Sequence, residues 1–179
     1  DMKRVGSKVR RELLEYLEVR DIYELANIDE MGEELQKRMR DGKVILEKLT
    51  LKRLPKAFNG FKILHITDIH SGSIDNKEKI TEAIDLINQQ ESDILVFTGD
   101  IVNNFYWEMD KWIEVFAKIK QAPYGNFAVL GNHDYGEYSD WKSEDAKQDN
   151  FKKIKEIFPK IGFQLLLNEN RIIEINGEK

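Results

Sequence analysis

Three short apolar runs, FKILHIT (61–67), DILVFT (93–98) and NFAVL (126–130), recur along the chain, and each ends abruptly in a polar loop. Dense apolar runs of this length between turn residues are the pattern of strands buried in a sheet. The stretches between them carry helical spacing instead. Asp75 or Asn76 can cap a helix over 77–90, with Ile80, Ile84 and Ile87 on its inner face. Residues 107–120 place Trp112, Val115, Phe116 and Ile119 in the same way, and a further helix is expected within 142–158. GFQLLL (162–167) and RIIEI (171–175) follow, around a turn at Asn168-Glu169-Asn170. Alternating strands and helices of this length predict an α/β fold with parallel strands joined by right-handed crossovers.

Residues 1–42 differ in character. Ser7 can cap a helix through about Arg20, with Val9, Leu13, Leu14 and Leu17 along one face. A second helical stretch runs from about Ile28 to Arg40, with Ile28, Met31, Leu35 and Met39 at helical spacing and Asp41-Gly42 as its stop. This predicts a helical hairpin over 1–42, preceding an α/β domain over 43–179. The hairpin's apolar faces need a surface: the main domain, a partner, or a second copy of the chain. Val44, Leu46, Leu49 and Leu51 then suggest an extended segment ending at Leu54-Pro55. The basic residues Lys3, Arg4, Lys8, Arg10 and Arg11 suit anionic lipid headgroups. Glu12, Glu15 and Glu18 are interleaved with them, which favours an ordinary solvated helix face.

The polar clusters all fall after strands. Asp68 and His70 follow the first run, Gly99-Asp100 the second, and Gly131-Asn132-His133-Asp134 the third. In open α/β sheets, ligands bind outside the carboxyl ends of the strands. Neighbouring parallel strands would therefore bring these three loops together. Carboxylates, an Asn carbonyl and imidazoles are oxygen and nitrogen donors suited to Mn, Fe, Zn or Co. Asp100, on the middle loop, is placed to bridge two cations. Paired ions can activate a water and neutralise charge in a phosphoryl displacement. Asp134 can act behind these ligands by holding the His133 imidazole. His65, inside a strand, reads as structural, and Asn103 and Asn104 read equally as loop caps or substrate contacts. Tyr135, Tyr138 and Trp141 read as cover for the sheet edge or as an aromatic wall beside the site.

D-x-H, then GD, then GNHD, each after a strand, resembles the calcineurin-like metallophosphoesterase superfamily over roughly residues 48–179. LPKAFNGFKILHITDIHSG resembles its bacterial branch of membrane-associated phosphoesterases and UDP-2,3-diacylglucosamine pyrophosphatases. The resemblance implies an α/β sandwich, of which this chain carries the N-terminal half. It further implies that Asp68 and His70 bind a first divalent metal ion, that Asp100 bridges both ions and that Asn132 binds the second. His133 would contact the scissile phosphate, stabilising the transition state or protonating the leaving group, and Asp134 would support it. A metal-bound hydroxide would attack a phosphomonoester, phosphodiester or pyrophosphate, lipid-linked or nucleotide-linked, without a covalent enzyme intermediate.

The family pattern also includes a later His and a terminal GHxH, whereas this chain has three histidines, His65, His70 and His133. The domain is therefore expected to be C-terminally incomplete and to bind metal poorly as it stands. A phosphoesterase-like binding or scaffold module is the alternative reading. The formal charge of −5 and pI of about 5.4 argue against nucleic acid as a partner. The absence of cysteine excludes disulfides and thiolate sites. No run approaches the roughly 20 apolar residues of a membrane span, so the expected location is cytoplasmic or peripheral to a membrane.

Overall fold

The computed structural model describes Val44 and residues 47–179, so the hairpin expected over 1–42, and Leu46, lie outside the described residues. The chain divides into two units, Asp1–Thr50 and Leu51–Lys179. All regular secondary structure among the described residues lies in the second unit. Leu49, Leu51 and Leu54 are exposed, and a turn closed by the Leu54 N–H on the Leu51 carbonyl ends the segment expected to be extended.

Four parallel strands form one sheet in sequence order: β1 (Ile63–Ile66), β2 (Ile94–Phe97), β3 (Asn126–Ala128) and β4 (Gln164–Leu165). The connections carry α1 (Lys77–Gln89), α2 (Ile113–Phe116) and α3 (Glu144–Lys160). α1 begins where the sequence predicts it, with the Asn76 side chain accepting from the Lys79 N–H at 2.8 Å. Ser143 caps α3 in the same way, accepting from the Ala146 N–H at 3.2 Å.

Side chains alternate across a sheet. Ile66, Phe97, Ala128 and Leu165 share one row across the four strands. With Leu64 and Leu95 they pack on Ile84 of α1, Phe116 of α2 and Ile154 and Phe158 of α3. Fully burying such side chains stabilises the fold by about 2 kcal/mol each. The other sheet face is more open, so FKILHIT is not buried on both sides as expected: Ile63 is 60% exposed. Among the described residues β1 is an edge strand, and every helix named above contributes to the core on the opposite face.

Residues 107–120 do not form one helix. A 3-10 turn over Tyr106–Met109 is followed by the short α2. The buried residues Met109, Trp112, Val115, Phe116 and Ile119 keep helical spacing. The backbone does not follow it throughout: i→i+3 bonds close the segment at Glu108, Asp110, Trp112, Val115, Lys118 and Ile119, and i→i+4 bonds at Phe116 and Ala117 form the short α2. RIIEI does not return along β4 either. Ile172 is 71% exposed, and its segment makes only a bridge between Ile175 and Glu178. β4 pairs with β3 instead, because its register completes the buried row at Leu165.

Candidate metal centre

The loops beyond β1 and β2 run side by side past the ends of the strands. The N–H groups of Asp68, His70 and Ser71 donate to the carbonyls of Gly99, Asp100 and Ile101 at 3.1, 3.0 and 3.0 Å. This lacing gathers Asp68, His70 and Asp100, each offering one donor atom, within 4.8 Å of one another. All three have left-handed backbones, with φ of 53°, 47° and 58°. Non-glycine residues adopt this region at a cost of about 1–3 kcal/mol each, and such strain concentrates at functional sites. Asp and His tolerate it better than most residues.

The third loop closes over the same place. The His133 N–H donates to Asp100 Oδ1 at 2.7 Å. The His133 ring meets the His70 ring edge-on, with centroids 4.7 Å apart. His133 Nδ1 lies 2.8 Å from the Asn103 carbonyl oxygen. A carbonyl only accepts, so this bond puts the proton on Nδ1 and leaves Nε2 free to accept, or to donate when the ring is charged. Asn132 gives its Nδ2 to the Tyr138 hydroxyl at 2.9 Å. Thr67 Oγ1 donates to Asp68 Oδ2 at 2.6 Å. His65 stays apart on its strand, 2.7 Å from Thr98 Oγ1.

Asp134 corrects an expectation, because its carboxylate bonds backbone amides and the His133 imidazole is held by Asn103. Asp134 is fully buried. Its Oδ2 accepts from the N–H groups of Asp100 and Gly131, both at 2.9 Å. Its Oδ1 accepts from Ile101 at 2.9 Å and Val102 at 3.4 Å. Burial holds its carboxyl above the usual carboxylate value, and the four amides pull the other way. Asp134 thus ties the third loop to the second and keeps Asp100 under His133.

Asn103 acts through its main chain, and its Nδ2 donates to Ser73 Oγ. Glu108, which the sequence reading passed over, clasps that loop by accepting from the N–H groups of Asn103, Asn104 and Phe105 at 2.6, 3.1 and 3.0 Å. Its only sequence signal is an acid three residues into a helical turn, a weak one without Ser or Thr before it. Of the three aromatic residues considered for a wall, Tyr138 stacks on His133 and Trp141 Nε1 donates to the Gly136 carbonyl at 2.7 Å. Tyr135 stacks instead on Phe151 of α3.

Two carboxylates and an imidazole at one point fit a divalent cation of the Mn, Fe, Zn or Co kind. The comparisons with known proteins agree with that chemistry. A family model described as calcineurin-like phosphoesterase matches residues 61–179. The chain is 37% identical over 87 residues to the metallophosphoesterase YkuE of Bacillus subtilis, a stretch covering 48% of this chain and 30% of that protein. It is 38% identical over 88 residues to the UDP-2,3-diacylglucosamine pyrophosphatase LpxG of Chlamydia trachomatis, covering 48% and 27%. It is 31% identical over 114 residues to the metallophosphoesterase YkoQ of Bacillus subtilis, covering 63% and 38%. The match therefore spans at most 38% of the length of any of these three relatives.

Proposed function

Since the chain belongs to the calcineurin-like phosphoesterase family, we propose that Asp68, His70, Asp100 and Asn132 hold two divalent metal ions and serve hydrolysis of a phosphomonoester, phosphodiester or pyrophosphate. The observation that carries this reading is the convergence of Asp68, His70 and Asp100 on one point, all three on left-handed backbone. Asp68 and His70 hold the first ion, Asp100 contributes to both, and Asn132 holds the second. When bound, such a pair makes a water nucleophilic and offsets charge on the phosphoryl group.

The chain's own residues supply the rest. The bond from His133 Nδ1 to Asn103 aims Nε2 away from the loop. From there a protonated ring donates to the leaving oxygen as its bond to phosphorus breaks, a task worth roughly 10²–10⁴-fold in rate. Asp134 is a positioning residue, keeping the Asp100 and His133 loops in register. The activity of the chlamydial relative, a UDP-2,3-diacylglucosamine pyrophosphatase, supports a substrate of the lipid-linked nucleotide diphosphate type. Among the described residues no helix is long and apolar enough to cross a membrane. Action in the cytoplasm or against the membrane surface fits that observation. Residues 43–179 form the phosphoesterase domain in this reading.

With Mn²⁺ and bis-p-nitrophenyl phosphate, His133→Ala is expected to lower the turnover of the chain by at least about 100-fold, with Mn²⁺ affinity retained. Unchanged turnover in that variant contradicts the role given to His133. Mn²⁺ binding without any wild-type turnover favours the alternative, a phosphoesterase-like binding module.

A further inference from the structure

Tyr138 touches two of the groups assigned above while remaining 48% exposed. Its ring stacks on His133 with centroids 4.5 Å apart and planes inclined by 25°. Its hydroxyl oxygen accepts from Asn132 Nδ2 at 2.9 Å. We propose that Tyr138 is a positioning residue for both parts of the site: its hydroxyl turns the Asn132 carbonyl oxygen toward the metal, and its ring fixes the plane of the His133 imidazole. The inference rests on Asn132 being a metal ligand.

A carboxamide has one end that can bind a cation and one that repels it. The last torsion of Asn is broad and roughly two-fold, so the side chain itself selects neither end. Nδ2 faces the Tyr138 oxygen in the structure, and although a phenol can also donate, a cation beside Oδ1 leaves only the pairing in which Nδ2 donates to the hydroxyl, so that Oδ1 is free for the metal. His133 poses the same problem about a different axis. Its Nδ1 bond to Asn103 fixes one edge of the ring, but the ring can still tilt about that bond. The stacked phenol and the edge-on His70 ring limit the tilt, and Nε2 is held in one direction. Outer partners that orient metal ligands are typically worth 10–100-fold in affinity or activity.

Two variants separate the two contacts, since Tyr138→Phe removes the hydroxyl and keeps the stack while Tyr138→Ala removes both. In a Mn²⁺ titration of the chain, Tyr138→Phe is expected to weaken by about 10-fold or more the binding event that Asn132→Ala abolishes. The event that Asp68→Ala abolishes should be unchanged. In the metal-free chain, nuclear magnetic resonance should show the Asn132 side-chain amide shifted toward its solvent-exposed value in Tyr138→Phe. The ring nitrogens of His133 should move only in Tyr138→Ala. A Tyr138→Phe protein that binds Mn²⁺ like the wild type, or keeps the Asn132 amide signals, overturns the role of Tyr138 alone. If Asn132→Ala leaves Mn²⁺ binding intact, or the wild type binds none, the ligand assignment itself fails and this inference goes with it.

Discussion

Replacing Asp100 by asparagine is expected to remove most Mn²⁺ binding while leaving the chain folded. The position is buried and on the middle loop, and Oδ1 is engaged by the His133 N–H at 2.7 Å. An asparagine carbonyl can keep that bond, so the loop need not open. What disappears is the negative charge shared with Asp68 and the second ligand oxygen. The loss of Mn²⁺ affinity should exceed the roughly 10–100-fold that removal of an outer partner causes. Calorimetric titration together with a thermal melt checks both halves. Wild-type affinity in Asp100→Asn contradicts the central place given to that carboxylate.

The largest effect on stability is expected at Gly99. Its φ is +96°, and a side-chain carbon there would overlap the backbone nitrogen of Gly131. Nothing flexible stands in the way that could yield, because the neighbour is main chain held by Asp134 through the Gly131 N–H. Gly99→Ala must therefore separate the second and third loops, with left-handed strain added. A cost of about 3 kcal/mol or more is expected, measured by urea denaturation followed through tryptophan fluorescence. Wild-type stability in this variant would mean that the two loops do not pack as described.

The elements legible in the sequence were those whose signals are local. Asn76 before an amphipathic run marks the start of α1 because an N-cap is a short-range device. The trio of Asp68, His70 and Asp100 was legible because polar residues after parallel strands must share one end of the sheet. Residues 107–120 were misread as one helix because Met109, Trp112, Phe116 and Ile119 carry helical spacing, whereas i→i+3 turns on both sides confine the α-helix to Ile113–Phe116. FKILHIT announced a strand but not its edge position, which depends on what pairs beyond it. Asp134 was assigned the wrong partner for a similar reason. Its partners are four backbone amides and the partner of His133 is a backbone carbonyl, groups that every residue carries and no sequence pattern marks. Tyr138 stood among the aromatic candidates, but the bond from Asn132 became visible only once the third loop was folded.

Anomalous diffraction from crystals of the chain, soaked at a Mn²⁺ concentration high enough to fill a weak site, tests the central claim most directly. The account predicts a manganese peak enclosed by the Asp68 carboxylate, the His70 imidazole and the Asp100 carboxylate, and its absence in Asp100→Asn. A peak elsewhere on the molecule, or none at that point in the wild type, would contradict it.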